Sequence, residues 1–337
     1  TTAHCNLGGV LLTMGDYEGA LAAHRRAIEI DPDEVSHHLR LGFVLEDHLG
    51  RHDEALAAYR RALELDSTNA VAQDNVGVSL RNRGDFDEAL HAFRRAIELD
   101  REYARAHHHL GFELQRRGDW AGAAAAYESA IELGFEEAVL SYRGLGTVRS
   151  RLGDLEGALA AHERVVELDP DSAAAHASLG NALLAAGDPA AAHEAARRAV
   201  ALDPEGFAGI TAAGVVLQAM GDLDGAYEAF RRAADLNPES AIVQANLCGI
   251  LVGKGDFDGA IDAGRRAVEL NPLLGAGHEN LGRAFLGKGD VMAAVAACQR
   301  GAELQPRNAG TQVALGDALR RAGDSDAAVA AYRQALA

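Results

Sequence analysis

No apolar run in the chain approaches the ~18 residues that a membrane-spanning helix needs. Three cysteines, Cys5, Cys248 and Cys298, are too few and too scattered for a disulfide framework or a metal-ligand pattern, and no Asn-x-Ser/Thr acceptor occurs. A reducing, cytoplasmic setting is the expectation. Lysine is nearly missing, with only Lys254 and Lys288, and a formal net charge of −18 leaves little cationic surface for releasing phosphate counterions. Nucleic acid and anionic membrane are therefore excluded as broad partners. Arginine in place of lysine, with heavy use of Ala and Gly, suits a GC-rich genome such as a bacterial one. Charged and apolar fractions of 24% and 48% are those of a folded chain, so disorder is excluded as well. The chain opens at Thr1 without an initiator methionine and stops at Ala337 inside a helical pattern, so it reads as a piece of a longer protein.

What the chain has in abundance is self-similarity. Gly-Asp followed by an apolar residue recurs from Gly15, and the opening glycine falls at 15, 50, 84, 118, 153, 187, 221, 255, 289 and 323, a period of 34 or 35 residues. A second glycine stands seven or eight residues earlier, from Gly8 to Gly316, with Cys248 replacing it once. Each unit thus contains two helical segments separated by a turn. Asp16, Asp85, Asp119, Asp154, Asp188, Asp222, Asp256, Asp290 and Asp324 are placed to accept from the free amides of the next helix, and Asp85 with Glu88 has capping-box spacing. The spacing of Ala89, Phe93, Ala96 and Ile97 is one apolar stripe, while Arg94 and Glu98, Arg25 and Glu29, and Arg265 and Glu269 are four apart on the opposite face. Pro32, Pro170, Pro204, Pro238, Pro272 and Pro306 end second helices. The expected units are 1–34, 35–69, 70–103, 104–138, 139–172, 173–206, 207–240, 241–274, 275–308 and 309–337, in one array.

The pattern of Leu7-Gly8, Gly15-Asp16-Tyr17, Ala20, Ala27 and Pro32, repeated as Leu179-Gly180, Gly187-Asp188, Ala192, Ala199 and Pro204, resembles the tetratricopeptide repeat over the whole chain. The resemblance implies an all-α, right-handed superhelical solenoid of stacked antiparallel helix pairs with a concave groove. Two units depart from it. The second has an extra residue between Gly42 and Gly50 and Arg51 in place of the capping Asp, so a distorted turn is expected there. The fourth lacks its proline and carries Gly134 with one extra residue, and Arg149 stands at a normally apolar position.

Chemistry is sparsely signalled. Adjacent helical residues point about 100° apart, so His107-His108-His109 cannot converge on one metal. Aligned by unit, His4, His38, His107, His176 and His278 share a position expected to pack between the two helices. No nucleophile triad, phosphate loop or paired carboxylate appears, so neither enzyme activity, cofactor nor metal is expected. By the resemblance, one face of each first helix lines the groove. That face carries Arg81, Asn82, Arg105, His108, Arg116, Arg143 and Arg151, with Asp74 and Glu113 nearby. Further on it turns apolar through Ala174, Ala177, Leu184, Ala208, Val215, Ile242, Ala245 and Val252, with Asn181 and Gln218 interspersed. It is polar again at Glu279, Arg283, Asp317, Arg320 and Arg321. Asn6, Asn75, Asn246 and Asn280 occupy the position of the asparagine ladder found in GlcNAc-transferring relatives, a ladder interrupted here by Arg40, His109, Gly144, Ser178, Ala212 and Ala314. The Lys, Asn and Arg set of the chaperone-tail carboxylate clamp is not found.

The favoured function is a non-catalytic scaffold that holds a protein or peptide with acidic and apolar segments in the groove. One alternative is the substrate-recruiting arm of a larger enzyme, such as a glycosyltransferase, kinase or protease. Another is a structural unit self-associating through uncapped ends.

Overall fold

In the computed structural model, residues 1–336 are described, and Ala337, the last residue of the tenth expected unit, lies outside them. Every described element is helical. The first pairs are α1 (Thr2–Thr13) with α2 (Tyr17–Ile30), α3 (Val35–Phe43) with α4 (His52–Leu65), and α5 (Ala70–Arg83) with α6 (Phe86–Leu99). There follow α7 (Ala104–Arg116) with α8 (Trp120–Glu132), then α9 (Ala138–Leu152) and α10 (Leu155–Leu168). Next come α11 (Ala173–Ala185), α12 (Pro189–Leu202), α13 (Phe207–Ala219), α14 (Leu223–Leu236) and α15 (Ala241–Lys254). The last are α16 (Phe257–Leu270), α17 (Gly275–Lys288), α18 (Val291–Leu304), α19 (Ala309–Ala322) and α20 (Ser325–Ala335). Contacts group the chain into two compact units that divide inside α10, Thr1–Arg164 and the residues from Val165 on. No described helix is long and apolar enough to cross a membrane.

Within a pair, a glycine lets the two helices approach closely. A Cβ added at Gly77 would lie 2.5 Å from the ring of Phe93, which is wholly buried. Tyr59, Tyr127, Phe230 and Tyr332 cover Gly42, Gly111, Gly214 and Gly316 in the same way. Two histidines also take this slot, His24 over Gly8 and His162 over Gly146. Where Cys248 replaces the glycine, Gly264 stands where the ring would be, and Sγ fills the space. The turn glycines all have φ between 63° and 92°, a region side chains rarely enter, which is why the Gly-Asp mark recurs.

Eight of the nine aspartates cap as expected, each accepting from the amide three residues on, for example Asp16 from Gly19 at 2.9 Å and Asp154 from Gly157 at 2.9 Å. Asp85 is the correction: it makes no side-chain cap and pairs with Arg83 at 3.2 Å, so the capping box at Glu88 does not form. The surface pairs are also displaced by one residue from expectation. They form between residues three apart, Arg26–Glu29, Arg61–Glu64, Arg95–Glu98, Arg266–Glu269 and Arg300–Glu303, and Arg25 reaches Glu54 of the next repeat. A further clip links successive repeats, a basic residue closing one first helix to an aspartate thirty residues earlier: Arg83–Asp53, Arg117–Asp87, Lys254–Asp224 and Lys288–Asp258. These exposed pairs are screened by water and contribute little to stability.

The extra residue of the second repeat is absorbed before the turn. Residues Val44–His48 form a π-helical turn continuing α3, the usual form in which one inserted residue enters a helix. Arg51 then starts α4 without a side-chain cap.

Candidate functional site

The π-helical turn directs Glu46 inward. Its side chain is 2% exposed and accepts from Ser79 Oγ at 2.5 Å, Asn82 Nδ2 at 2.7 Å and His52 Nδ1 at 2.7 Å. Two more carboxylates are buried beside it. Asp74 accepts from Arg105 Nε at 2.9 Å and His109 Nδ1 at 2.8 Å. Glu113 accepts from Arg116 Nη1 at 2.9 Å, and its other oxygen, though buried, has no hydrogen-bond partner in the protein. Ser79 and Glu113 occupy the repeat position filled elsewhere by Val44, Val148, Val216 and Ile250, so a polar residue on the apolar stripe was the sequence signal for this cluster. Burial works against the Asp74 charge, but His109 and Arg105 together hold its carboxyl below the usual range. Burial likewise opposes the Arg105 charge and Asp74 outweighs it.

Above these acids lie two adjoining cavities of the first unit. One, of about 560 Å³, is lined among others by Arg40, Glu46, Asp47, Asn75, Arg81, Arg105, His108, His109 and Glu137. The other, of about 760 Å³, is lined by Arg81, Asn82, Phe86, His108, Phe112, Arg116, Tyr127, Leu140, Arg143 and Thr147 among others. Arg81, His108, His109 and Leu140 are common to both. Thus Arg81, Asn82, Arg105, His108, Arg116 and Arg143 are brought together, as the repeat alignment expects. Arg151 lies instead over the Trp120 ring, 5.9 Å from its centre, and lines neither cavity.

The arginines divide by partner. Arg105 and Arg116 are held by buried acids, and Arg116 also stacks on Phe86 at 3.4 Å. Among the described residues no ion pair engages Arg40, Arg81 or Arg143. Arg81 is half-buried, with its guanidinium 5.5 Å from the centre of the Phe112 ring and 5.9 Å from that of Phe93, and burial lowers its pKa. His108 stacks on Phe135 at 4.8 Å, shares a hydrogen bond with Ser141 Oγ at 2.9 Å, and is pushed down to about 4, first by burial and then by His109 and Arg81. It is a neutral wall at neutral pH. Burial and then Glu46 push Asp47 up.

The second-unit candidates do not gather in this way. Asn181 and Gln218 are exposed, Asn246 is half-buried, and Leu184, Val215 and Val252 lean partly into the core. The expected apolar face is broken, because Ala177 and Ala245 are 3% and 2% exposed and belong to the core, while Ile242 is 60% exposed. Two smaller cavities there, of about 280 and 360 Å³, hold none of these residues. Two of the ladder asparagines are engaged internally: Asn75 accepts from Arg105 at 2.6 Å and Asn280 donates to the Ala245 carbonyl at 2.8 Å.

The shared histidine position is satisfied by backbone. His38, His107, His176 and His278 each place Nε2 within 2.8–3.0 Å of the carbonyl six residues earlier, and Gln312 does the same at 3.2 Å. These rings tie the first helix to the loop before it. Among the described residues no group of three or more His, Cys, Asp or Glu is arranged to hold a metal ion.

Family comparison agrees with this architecture. A tetratricopeptide-repeat model matches residues 5–70, 110–173, 143–207, 211–274 and 279–337, and a TPR-repeat model matches 77–116. The chain belongs to the tetratricopeptide-repeat family. Among solved structures, this TPR chain is similar to the APC/C hetero-tetramer Cut9–Hcn1 at 16% identity, covering 98% of this chain and 85% of that one with a TM-score of 0.57. It is also similar to yeast Tom70 at 17% identity, covering 98% and 84%, TM-score 0.53. A third is the pilF protein of Pseudomonas aeruginosa, at 18% identity, covering 60% and 92%, TM-score 0.53. At these identities the likeness is one of fold. No curated protein matches the chain. The TPR family is one of protein-interaction scaffolds, and its fold here supplies rigid helices on which side chains are held without loops.

Proposed function

We propose that this TPR protein is a non-catalytic scaffold whose first unit holds a peptide segment of a partner protein across the two adjoining cavities. The observation that carries this reading is the convergence of Arg81, Asn82, His108, Arg116 and Arg143 from three successive first helices, α5, α7 and α9, on one hollow with aromatic walls. Rigid guanidinium groups facing a cavity recognise carboxylates by paired hydrogen bonds, and aromatic walls add contact area at low entropic cost. An acidic segment with apolar neighbours suits both features. Arg105 lines the smaller cavity and Arg116 the larger one while neutralising buried acids, so they are poor choices for testing it.

Arg81 and Arg143 are the informative pair. Affinity capture from a lysate of the source cells, read by mass spectrometry, should retain a defined set of proteins on the parent chain. Arg81→Glu with Arg143→Glu should lose that set by at least tenfold with far-UV helicity unchanged. Equal capture by parent and variant would remove the first-unit groove as the binding site.

A further inference from the structure

The charges of the two cavities are arranged unequally, and this specifies the ligand further. The smaller is lined by three arginines, Arg40, Arg81 and Arg105, and three acids, Glu46, Asp47 and Glu137, so it is balanced. The larger is lined by Arg81, Arg116 and Arg143 with no acid among its lining residues. Beneath Arg116 lies Glu113, whose charge Arg116 already meets. We infer that the larger cavity is a subsite for one carboxylate side chain, Asp or Glu, of a bound peptide, anchored by Arg81 and Arg143 and flanked by an apolar ligand residue on Phe86 and Phe112. The inference rests on the peptide-binding reading above and names the chemistry that reading requires.

Two features support a single carboxylate over a phosphate. Counted over both cavities and the acids beneath them, with histidines neutral, five guanidinium groups (Arg40, Arg81, Arg105, Arg116, Arg143) face five carboxylates (Glu46, Asp47, Asp74, Glu113, Glu137), so the two cavities together carry no net charge. A monoanion adds one charge to this balanced set and a dianion adds two, so repulsion from the buried acids weighs more heavily against a phosphate. Arg81 itself feels Glu113, Asp74 and Glu46, so its field outward is already reduced. The orientation of Asn82 completes the subsite. Its amide nitrogen donates to Glu46, so its carbonyl oxygen is the end left for the cavity, an acceptor suited to a ligand main-chain N–H.

The test uses the full chain immobilised and a positional-scanning library of hexapeptides blocked at both ends, with phosphoserine included among the building blocks. The parent chain should enrich Glu or Asp over Gln, Asn and phosphoserine at least tenfold at one position. Arg81→Gln should still retain peptides but lose that enrichment. Thr147→Trp, which fills the larger cavity from an exposed lining position, should lose the acid preference too, and circular dichroism checks that both variants fold. Retention without acid preference, or acid preference unchanged in Arg81→Gln, would overturn the anchor while leaving the peptide groove standing. Phosphoserine favoured over Glu would overturn the monoanion rule. No retention on the parent chain would overturn the anchor and the groove together.

Discussion

Glu46→Ala should lower the unfolding free energy by about 3–5 kcal/mol, the range for breaking a buried charged network at one member. The substitution removes the acceptor for three donors at once. Ser79 is wholly buried and would be left without this partner, and Asn82 and His52 would lose their hydrogen bonds to the same carboxylate. The inserted residue makes this position unlike any other in the array, because a π-helical turn is what brings Glu46 to the seam between α3, α4 and α5. Glu46→Gln keeps one acceptor oxygen and should cost less than half as much. Urea denaturation monitored by helicity measures both, and equal effects from the two variants would mean that the stabilisation comes from the carboxylate charge rather than from hydrogen bonds that a neutral amide can still accept.

The second large effect concerns acid. His24 and His162 occupy the slot that Phe93, Tyr127 and Phe230 fill elsewhere, each is at most 6% exposed, and each has an Nδ1 without a hydrogen-bond partner. Burial lowers the pKa of both, with Arg40 and then His37 adding to the effect at His24. A histidine lowered on folding binds its proton more readily in the unfolded chain. Its stability contribution is therefore complete above the unfolded value of about 6.5 and is lost as pH falls below that toward the folded value. His108, pushed down to about 4, adds the same sign over the interval from 6.5 to 4. His24→Phe with His162→Phe should raise stability at neutral pH by about 1–3 kcal/mol per site, the cost of an unsatisfied buried polar atom. It should also flatten the fall in melting temperature between pH 6.5 and 4. An unchanged pH profile would show that neither ring is held neutral by burial.

Most of the fold could be read from the chain because the repeat states its physics many times. Glycine in the turn, aspartate after it, glycine under a ring and proline after the second helix are each demanded by local geometry. Where one repeat departs from the rest, local rules predict less. Asp85 has the right spacing for a cap, yet neighbouring Arg83 draws it away. Arg25 and Arg94 stand four residues before a glutamate, but the pairs form at three, and Arg25 finds its acid in the next repeat. The exchange of Cys248 for glycine is balanced by Gly264 sixteen residues later, a compensation visible only when the two helices face each other.

The same limit applies to the site. Six of the candidate groove residues do converge, because helical periodicity and the repeat register determine which face a residue occupies. Which arginines remain without an acid could not be read in this way. Arg105 meets Asp74 from the previous repeat, and Arg116 meets Glu113 one turn earlier at a position that is apolar in most units. The apolar face expected from Ala177 and Ala245 fails for a related reason: small residues on that stripe let neighbouring helices approach and are themselves covered.

The central claim, that the first unit and not the second holds the partner segment, is tested most directly by photo-cross-linking. A peptide retained by the parent chain is remade with benzoylphenylalanine beside its acidic residue, irradiated on the full chain, and the adducts are mapped by mass spectrometry. The expected adducts fall on Phe112, Leu140 or Thr147 in the wall of the larger cavity. Adducts confined to residues from Val165 on would contradict the account.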